Sequence, residues 1–190
     1  NISNAANTVT YNNPDLRAEH VRAINVDVEH NFHSDHGSGW IRGTVFFEHN
    51  RNALLKQPIP ATDPNYTTFT GATTSYWSNI DALRSEGAEA AWHVEDLAVR
   101  RLDLDGSLTF AHSVITRDQA QPTFVGTWQN RVPKWRAKLI ASYRTTNDWT
   151  FSVAGRYSGL QRNGYPNADI RPNTYLGFAS YLVLDARATW

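Results

Sequence analysis

Residues 132–159 read VPKWRAKLIASYRTTNDWTFSVAGRYSG. In the first arm Trp135, Ala137, Leu139, Ala141 and Tyr143 fall on one face, and Arg136, Lys138, Ile140, Ser142 and Arg144 fall on the other. That period of two belongs to a strand and not to a helix. A short polar link, Thr145 to Asp148, precedes a second arm with the same alternation: Trp149, Phe151, Val153, Gly155 and Tyr157 against Thr150, Ser152, Ala154, Arg156 and Ser158. The spacing predicts an antiparallel hairpin.

Magnitude decides which face is apolar. A Lys or Arg against hydrocarbon at mid-bilayer costs roughly 2 to 4 kcal/mol, and an unpaired charge in a protein core fares no better. The face with Trp135, Leu139, Phe151 and Val153 is therefore the one that meets apolar surroundings. Rings stand at both of its ends, Trp135 and Tyr157 at one and Tyr143 and Trp149 at the other, with smaller aliphatic residues between. Amphipathic rings settle at the two membrane interfaces, so this is the pattern of a strand that crosses a bilayer. An arm of about 11 residues, rising about 3.3 Å per residue and tilted by about 45°, covers about 25 Å, the height of an outer-membrane apolar band.

The rest of the chain repeats this pattern more loosely. Asn1 to Leu16 lacks periodicity and reads as a loop. Val21 to Phe32 alternates, with Ile24, Val26 and Val28 opposed to Asn25, Asp27 and Glu29. A polar link, His33 to Gly39, leads to a strand over Trp40 to Asn50 with Ile41, Val45 and Phe47 on its apolar side. Lys56 to Ser78 reads as a long loop, of the length that is usually functional. Asn79 to Val94 is the next strand, with Ala88, Ala90, Trp92 and Val94 in phase. Arg84 and Glu86 share that phase and are expected beyond the bilayer edge. Leu102 to Phe110 follows, then a long connection, Thr116 to Arg131, then the hairpin. A third long loop, Leu160 to Ser180, precedes a final run with Leu182, Leu184, Ala186, Ala188 and Trp190 in phase.

The predicted fold class is all-β: an antiparallel up-and-down transmembrane β-barrel, present as a fragment of about seven strands. Short turns and long loops alternate, and Trp40, Trp92, Trp149 and Trp190 all stand at the short-link end, the layout of periplasmic turns and extracellular loops. Residues 1–190 are expected to form part of one β-barrel domain. Because the chain begins at Asn1 and stops at Trp190 inside an alternating run, it is expected to be an internal piece of a longer protein.

Bulk properties exclude several classes. With 18 basic and 18 acidic side chains, a formal net charge of 0 and no basic block, nucleic acid is not an expected partner. Cysteine is absent, which removes disulfides and thiolate metal sites. No apolar run approaches the roughly 20 residues of a membrane helix. The mean hydropathy of -0.52 suits a soluble domain or a barrel equally.

Several short motifs carry a resemblance. Asn13-Pro14-Asp15-Leu16 with Glu19, Asn79-x-Asp81 followed by Gly87-Ala88-Glu89, Val132-Pro133 with Trp135 and Arg136, Arg156-Tyr157-Ser158-Gly159, and Val183-Leu184-Asp185 run collinearly through nearly the whole chain. In order and spacing they resemble the later barrel strands of TonB-dependent outer-membrane receptors. The resemblance implies a barrel of 22 strands, of which these look like the fourteenth to the twentieth, a plug domain filling it, and a TonB box that contacts the energy-transducing protein. It implies TonB-energised uptake of a ferric siderophore or a similar scarce large nutrient, outer-membrane lipid around the barrel, and residence in the bacterial outer membrane. The sequence departs from the family in having no plug, no TonB box, no last two strands and no terminal aromatic residue, and in Ala88, where a larger aliphatic is common. Readings from other classes are a passive porin or structural outer-membrane barrel, a soluble β-barrel ligand-binding module, and an outer-membrane hydrolase.

No nucleophile elbow, zinc-protease, phosphate-loop or dinucleotide motif is present, so neither an enzyme nor a cofactor is expected. His30, His33, Asp35 and His36 are the densest group of metal-ligand types, read as a polar turn without a metal. The inward charges Asp27, Glu29, Arg42, Glu48, Glu89, Asp103, Asp105, Lys138, Arg144, Arg156, Asp185 and Arg187 either pair across neighbouring strands or line a substrate path or plug contact. Arg156 stands out because it lies toward the large-loop end, where a chelate with carboxylate or hydroxamate oxygens would arrive. In the loops Tyr66, Phe69, Tyr76, Trp77, Phe124, Trp128, Arg162, Tyr165 and Tyr175 supply rings and cations that grip polar-aromatic ligands or pack on one another. The predicted substrate contacts are Arg156, Trp77, Tyr66, Arg162 and Tyr165.

Overall fold

Alternating sequences of this kind pair side by side, and the computed structural model shows them doing so. It describes residues 8–11, 13–58, 73–97, 99–163 and 177–190. The strands are β1 (Thr8–Tyr11), β2 (His20–Ser34), β3 (Gly37–Pro58), β4 (Thr73–Glu95), β5 (Leu102–Arg117), β6 (Trp135–Arg144), β7 (Thr150–Ser158), β8 (Gln161–Arg162), β9 (Gly177–Phe178) and β10 (Tyr181–Thr189). Eight of them form one sheet: seven run in the order β10-β7-β6-β5-β4-β3-β2, each antiparallel to the next, and β1 joins at β4. The seven strands correspond to the seven periodic segments of the sequence. Residues 132–159 form β6 and β7, with Leu139 opposite Gly155 and Ala141 opposite Val153.

The register turns the sequence alternation into continuous rows. One row on the outer face runs Val28, Gly43, Ala90, Leu108, Ala137, Tyr157, Leu182, and the next runs His30, Ile41, Trp92, Gly106, Leu139, Gly155, Leu184. These side chains do not converge on a shared interior: Leu139, Val153 and Leu184 are 48%, 56% and 68% exposed. A contiguous apolar surface this large marks contact with another apolar phase. The opposite face carries Asp27, Thr44, Glu89, Thr109 and Arg136 in one row and Glu29, Arg42, Ala91, Ser107, Lys138 and Arg156 in the next. This is the luminal face of an up-and-down barrel wall.

Trp92 fixes one detail of the outer face. Its indole occupies the space where a Cβ on Gly106 would sit, on the neighbouring strand. Any larger residue must expel the ring. Gly106→Val is expected to cost about 1–3 kcal/mol through overpacking, read as a lower denaturant midpoint for the inserted protein, while Gly43→Val, with open space at its Cβ position, stays near the parent.

Toward the large loops the structure departs from the sequence reading. β3 continues to Pro58 and β4 starts at Thr73, with Ala53 opposite Ile80 and Leu55 opposite Ser78, so the stretch read as a loop from Lys56 to Ser78 is in part a strand ladder. Likewise β5 extends to Arg117, beyond Phe110, and the segment after it folds back, with Gly126 N–H donating to Ile115 O at 2.8 Å and Gln129 N–H to Ser113 O at 2.9 Å. The physical reason is a small core above the membrane band: Ile80, Leu83, Ile115, Phe124 and Ala53 pack together, the two isoleucines fully buried. Ala53 and Ile80 have the sequence phase of the outer-facing set. Asn52 holds φ at 55°, and past this left-handed residue the strand turns that phase inward. Asn1 to Leu16, read as loop, contains β1, which pairs parallel to β4 with Thr8 opposite Thr73. Gln161–Arg162 and Gly177–Phe178 make a two-residue ladder within the stretch read as the third loop.

The tryptophans at the short-link end divide between the two faces. Trp40 shares the luminal phase of Arg42, whose guanidinium lies 5.2 Å from its ring, so it is no part of an outer aromatic girdle. Arg84 and Glu86 lie at the large-loop margin of the outer face, 3.7 Å apart, with His112 Nδ1 3.7 Å from Glu86.

Candidate functional site

Most luminal charges are satisfied by a neighbouring strand. Arg42 pairs with Glu29 at 3.0 Å, and Arg144 with Asp103 at 2.7 Å. Asp27 accepts from Thr44 Oγ1 at 2.6 Å, Glu89 accepts from Thr109 Oγ1 at 3.3 Å, and Asp105 lies 2.7 Å from His93 Nδ1. These are wall-bracing contacts in a wet face, and each contributes little.

One region breaks that rule. Lys138 stands directly opposite Arg156 in the β6–β7 register, and Arg136 is one step along the same face. Like charges set opposite each other on a sheet repel. Among the described residues none of the three has a carboxylate within ion-pair distance. They line a cavity of about 760 Å³ together with Arg131, Ser158, Gln161 and Tyr181, and Glu89 is the one carboxylate among the lining residues. Four cations against one anion, with hydroxyl, amide and ring groups beside them, suit a large anionic ligand. Guanidinium groups offer bidentate hydrogen bonds to carboxylate or phosphate oxygens.

The sequence-predicted contacts divide. Arg156 lines this cavity. Arg162 does not: it is buried, with its guanidinium 5.1 Å from the Trp128 ring, and its carbonyl accepts from Arg131 N–H at 2.7 Å. Lys134 covers the same ring at 3.7 Å. Arg162 thereby holds the segment that ends in Arg131. Trp77 is half exposed on the side of β4 away from buried Ser78 and Ile80, and is not brought to Arg156. Tyr66 and Tyr165 lie outside the described residues. Phe124 is buried in the core above the band and Trp128 is held between two cations, so both pack within the protein. His30 and His33 fall on opposite faces of β2, and among the described residues no group of three or more metal-ligating side chains gathers. Sequence reasoning missed Arg136 and Arg131. Arg136 was accessible from its phase with Lys138; Arg131 sits in a connection with no periodicity to announce it.

The residues that bear the resemblance have structural tasks as well. Asn13 Oδ1 accepts from Asp15 N–H at 2.9 Å while its Nδ2 donates to Trp77 O at 3.1 Å. Asn79 exchanges hydrogen bonds with the Arg17 backbone at 2.7 and 2.9 Å, and Glu19 accepts from Asn50 Nδ2. The loop before β2 is clasped to β3 and β4 by these contacts. Comparison with known families finds a match over residues 1–190 to the one described as TonB dependent receptor-like, beta-barrel.

The chain belongs to the TonB-dependent receptor β-barrel family. This is a family of outer-membrane barrels that act as transporters and not as enzymes. Solved structures agree on the fold. The copper transporter OprC superposes with a TM-score of 0.59 at 15% identity, over 92% of this chain and 23% of its own length. The ferric-catecholate import receptor Fiu from E. coli K12 gives 0.58 at 16% identity, over 88% of this chain and 21% of its own. The FrpB iron transporter from Neisseria meningitidis gives 0.54 at 14% identity, over 96% and 26%. The chain thus spans about a quarter of the length of these TonB-dependent receptors. No curated protein matches the sequence.

Proposed function

We propose that the receptor containing this chain resides in the bacterial outer membrane and imports a ferric siderophore or a similar anionic chelate, using energy from TonB delivered through a plug region. Residues 1–190 supply one stretch of its 22-strand barrel domain. The observation that carries the reading is the uncompensated cationic wall of Arg136, Lys138 and Arg156, directed into the lumen and adjoining Arg131 at the foot of a large loop. Iron and copper transporters among the structural neighbours are consistent with such a cargo. Arg156 contacts the chelate in this reading, with Trp77 of β4, Tyr66 and Tyr165 as further contacts and Arg162 positioning Trp128.

Arg156→Ala gives a test with two opposite signs. Removing one of two facing cations relieves repulsion worth roughly 0.2–1 kcal/mol, so the folded barrel is expected to be as stable as the parent or slightly more so. Chelate affinity is expected to fall about tenfold or more, from the loss of one charge-assisted hydrogen bond, with slower growth under iron starvation. Unchanged affinity for every ferric chelate offered would overturn the assignment. Trp77→Ala in the same assay tests the contact from β4.

A further inference from the structure

Arg131 lines the luminal cavity from the connection between β5 and β6, and its backbone is left-handed, with φ at 62°. A residue with a Cβ keeps that conformation where its surroundings hold it. Two groups just past β7 supply the hold: Arg162 O accepts from Arg131 N–H at 2.7 Å, and Asn163 Oδ1 accepts from Arg131 Nε at 3.0 Å. The second bond sets the plane of the guanidinium. Both terminal nitrogens of the fork are left for another acceptor, and among the described residues no carboxylate lies within ion-pair distance of them.

One ring keeps these partners in place. Trp128 stands three residues before Arg131 and Lys134 three after it. Lys134 Nζ lies 3.7 Å from the indole centroid and the Arg162 guanidinium carbon 5.1 Å from it. A cation is drawn to the face of an indole, more strongly where water is excluded, and Arg162 is buried. Both ends of segment 128–134 are thereby tied to residue 162, with Arg131 at the bend between them. Trp128 is itself anchored on β5, where it bridges to Val114 and the next residue, Gln129, donates its N–H to Ser113 O at 2.9 Å. Trp128, Lys134, Arg162 and Asn163 do not line the cavity. What they contribute to a ligand there passes through Arg131.

We propose that Trp128 and Asn163 are positioning residues that aim Arg131 at an anionic cargo before it arrives. The indole fixes the backbone from which Arg131 projects, and the amide fixes the plane of its fork. The inference rests on the reading of the cavity as a chelate site and adds how affinity is set there: a guanidinium already held loses less freedom on binding than a loose one.

The test uses the full-length receptor in detergent and two readouts. The first is hydrogen exchange without ligand. Trp128→Ala is expected to speed exchange at the Arg131 amide about tenfold, the factor that corresponds to two cation–ring contacts, while Gly126, whose N–H donates to Ile115 O, keeps the parent rate. Trp128→Phe, which restores a ring, is expected to return most of the protection. No acceleration at Arg131, or equal acceleration at Arg131 and Gly126, would sink the proposal. The second readout is titration with ferric citrate and with ferric tris(catecholate). Arg131→Ala is expected to weaken binding about tenfold. Trp128→Ala and Asn163→Ala are expected to weaken it too, but to add nothing in the Arg131→Ala background, because a positioning residue has no effect once the group it positions is gone. Unchanged affinity in Arg131→Ala, or losses that multiply in the double variants, would count against it equally. Asn163→Ala removes a single side-chain bond, so its cycle decides the matter should Trp128→Ala fail to fold. A receptor that binds neither probe strikes the uptake reading, and the exchange readout, which involves no chelate, then judges the positioning of Arg131 by itself.

Discussion

Arginine at Leu139 is expected to destabilise the inserted barrel by about 2–4 kcal/mol, whereas arginine at Ile140, the next residue, stays within about 1 kcal/mol of the parent. The two positions share a strand, a depth and a similar volume, and differ only in face. Leu139 projects outward between Gly106, over which the Trp92 indole lies, and Gly155, over which Leu184 lies, and is 48% exposed. A guanidinium there meets apolar side chains and hydrocarbon, and no carboxylate. Ile140 projects into the lumen, directly opposite Asp105 on β5, with Asp185 two strands away in the same row. A cation placed there meets water and two carboxylates. The measurement is unfolding by urea in phosphatidylcholine bilayers; equal losses at the two sites would mean that the two faces do not differ in their surroundings, and a larger loss at Ile140 that they had been assigned the wrong way round.

Truncation of Phe124 is the second large effect, and it is local. Phe→Ala in a packed cluster costs about 3–5 kcal/mol, and Phe124 is 4% exposed against Ile80 and Ile115. This ring pins the first half of the segment between β5 and β6, which is otherwise held by a few backbone hydrogen bonds, Ile115 N–H to Thr127 O at 3.1 Å among them, by Thr127 Oγ1 donating to Phe124 O at 2.6 Å, and farther on by the clasp of Lys134 and Arg162 on Trp128. Phe124→Ala is therefore expected to speed hydrogen exchange at Gly126 and Gln129 and to open residues 118–131 to proteolysis. The membrane strands should keep their protection, because no part of the cluster lies within the apolar band. Chelate affinity should fall with it, since the same segment delivers Arg131 to the luminal cavity. Undisturbed exchange at Gly126 would show that the loop is held by something other than this ring.

The two expected results bracket what could be read without coordinates. Around residues 132–159 the phase of every side chain was legible, because a strand with lipid on one side and water on the other tolerates no error of phase: a single misplaced cation there costs more than most point substitutions. The pairing of Lys138 with Arg156 was nearly legible too, since both carry the inward phase and only the register was lacking. Above the membrane that contrast disappears. Both faces of β3 and β4 beyond Asn52 meet protein or water, so apolar Ala53 and Ile80 carry no sign of which way they point, and the strand ends at Lys56 to Pro58 and Thr73 to Ser78 were taken for a loop. Trp40 was read at the short-link end, where it stands, and its phase with Arg42 sets it on the luminal side.

Sequence by itself determined the all-β class, the seven periodic segments and the division into an oily and a charged face, because solvent contrast across a two-residue period is a local property that each strand must satisfy alone. Tertiary structure decided which charges are left over. Whether Arg42 is spent on Glu29 or Arg156 is set against Lys138 depends on how far one strand slides past the next. That offset is fixed by pairing between segments distant in the chain, and no residue carries it in its own neighbourhood.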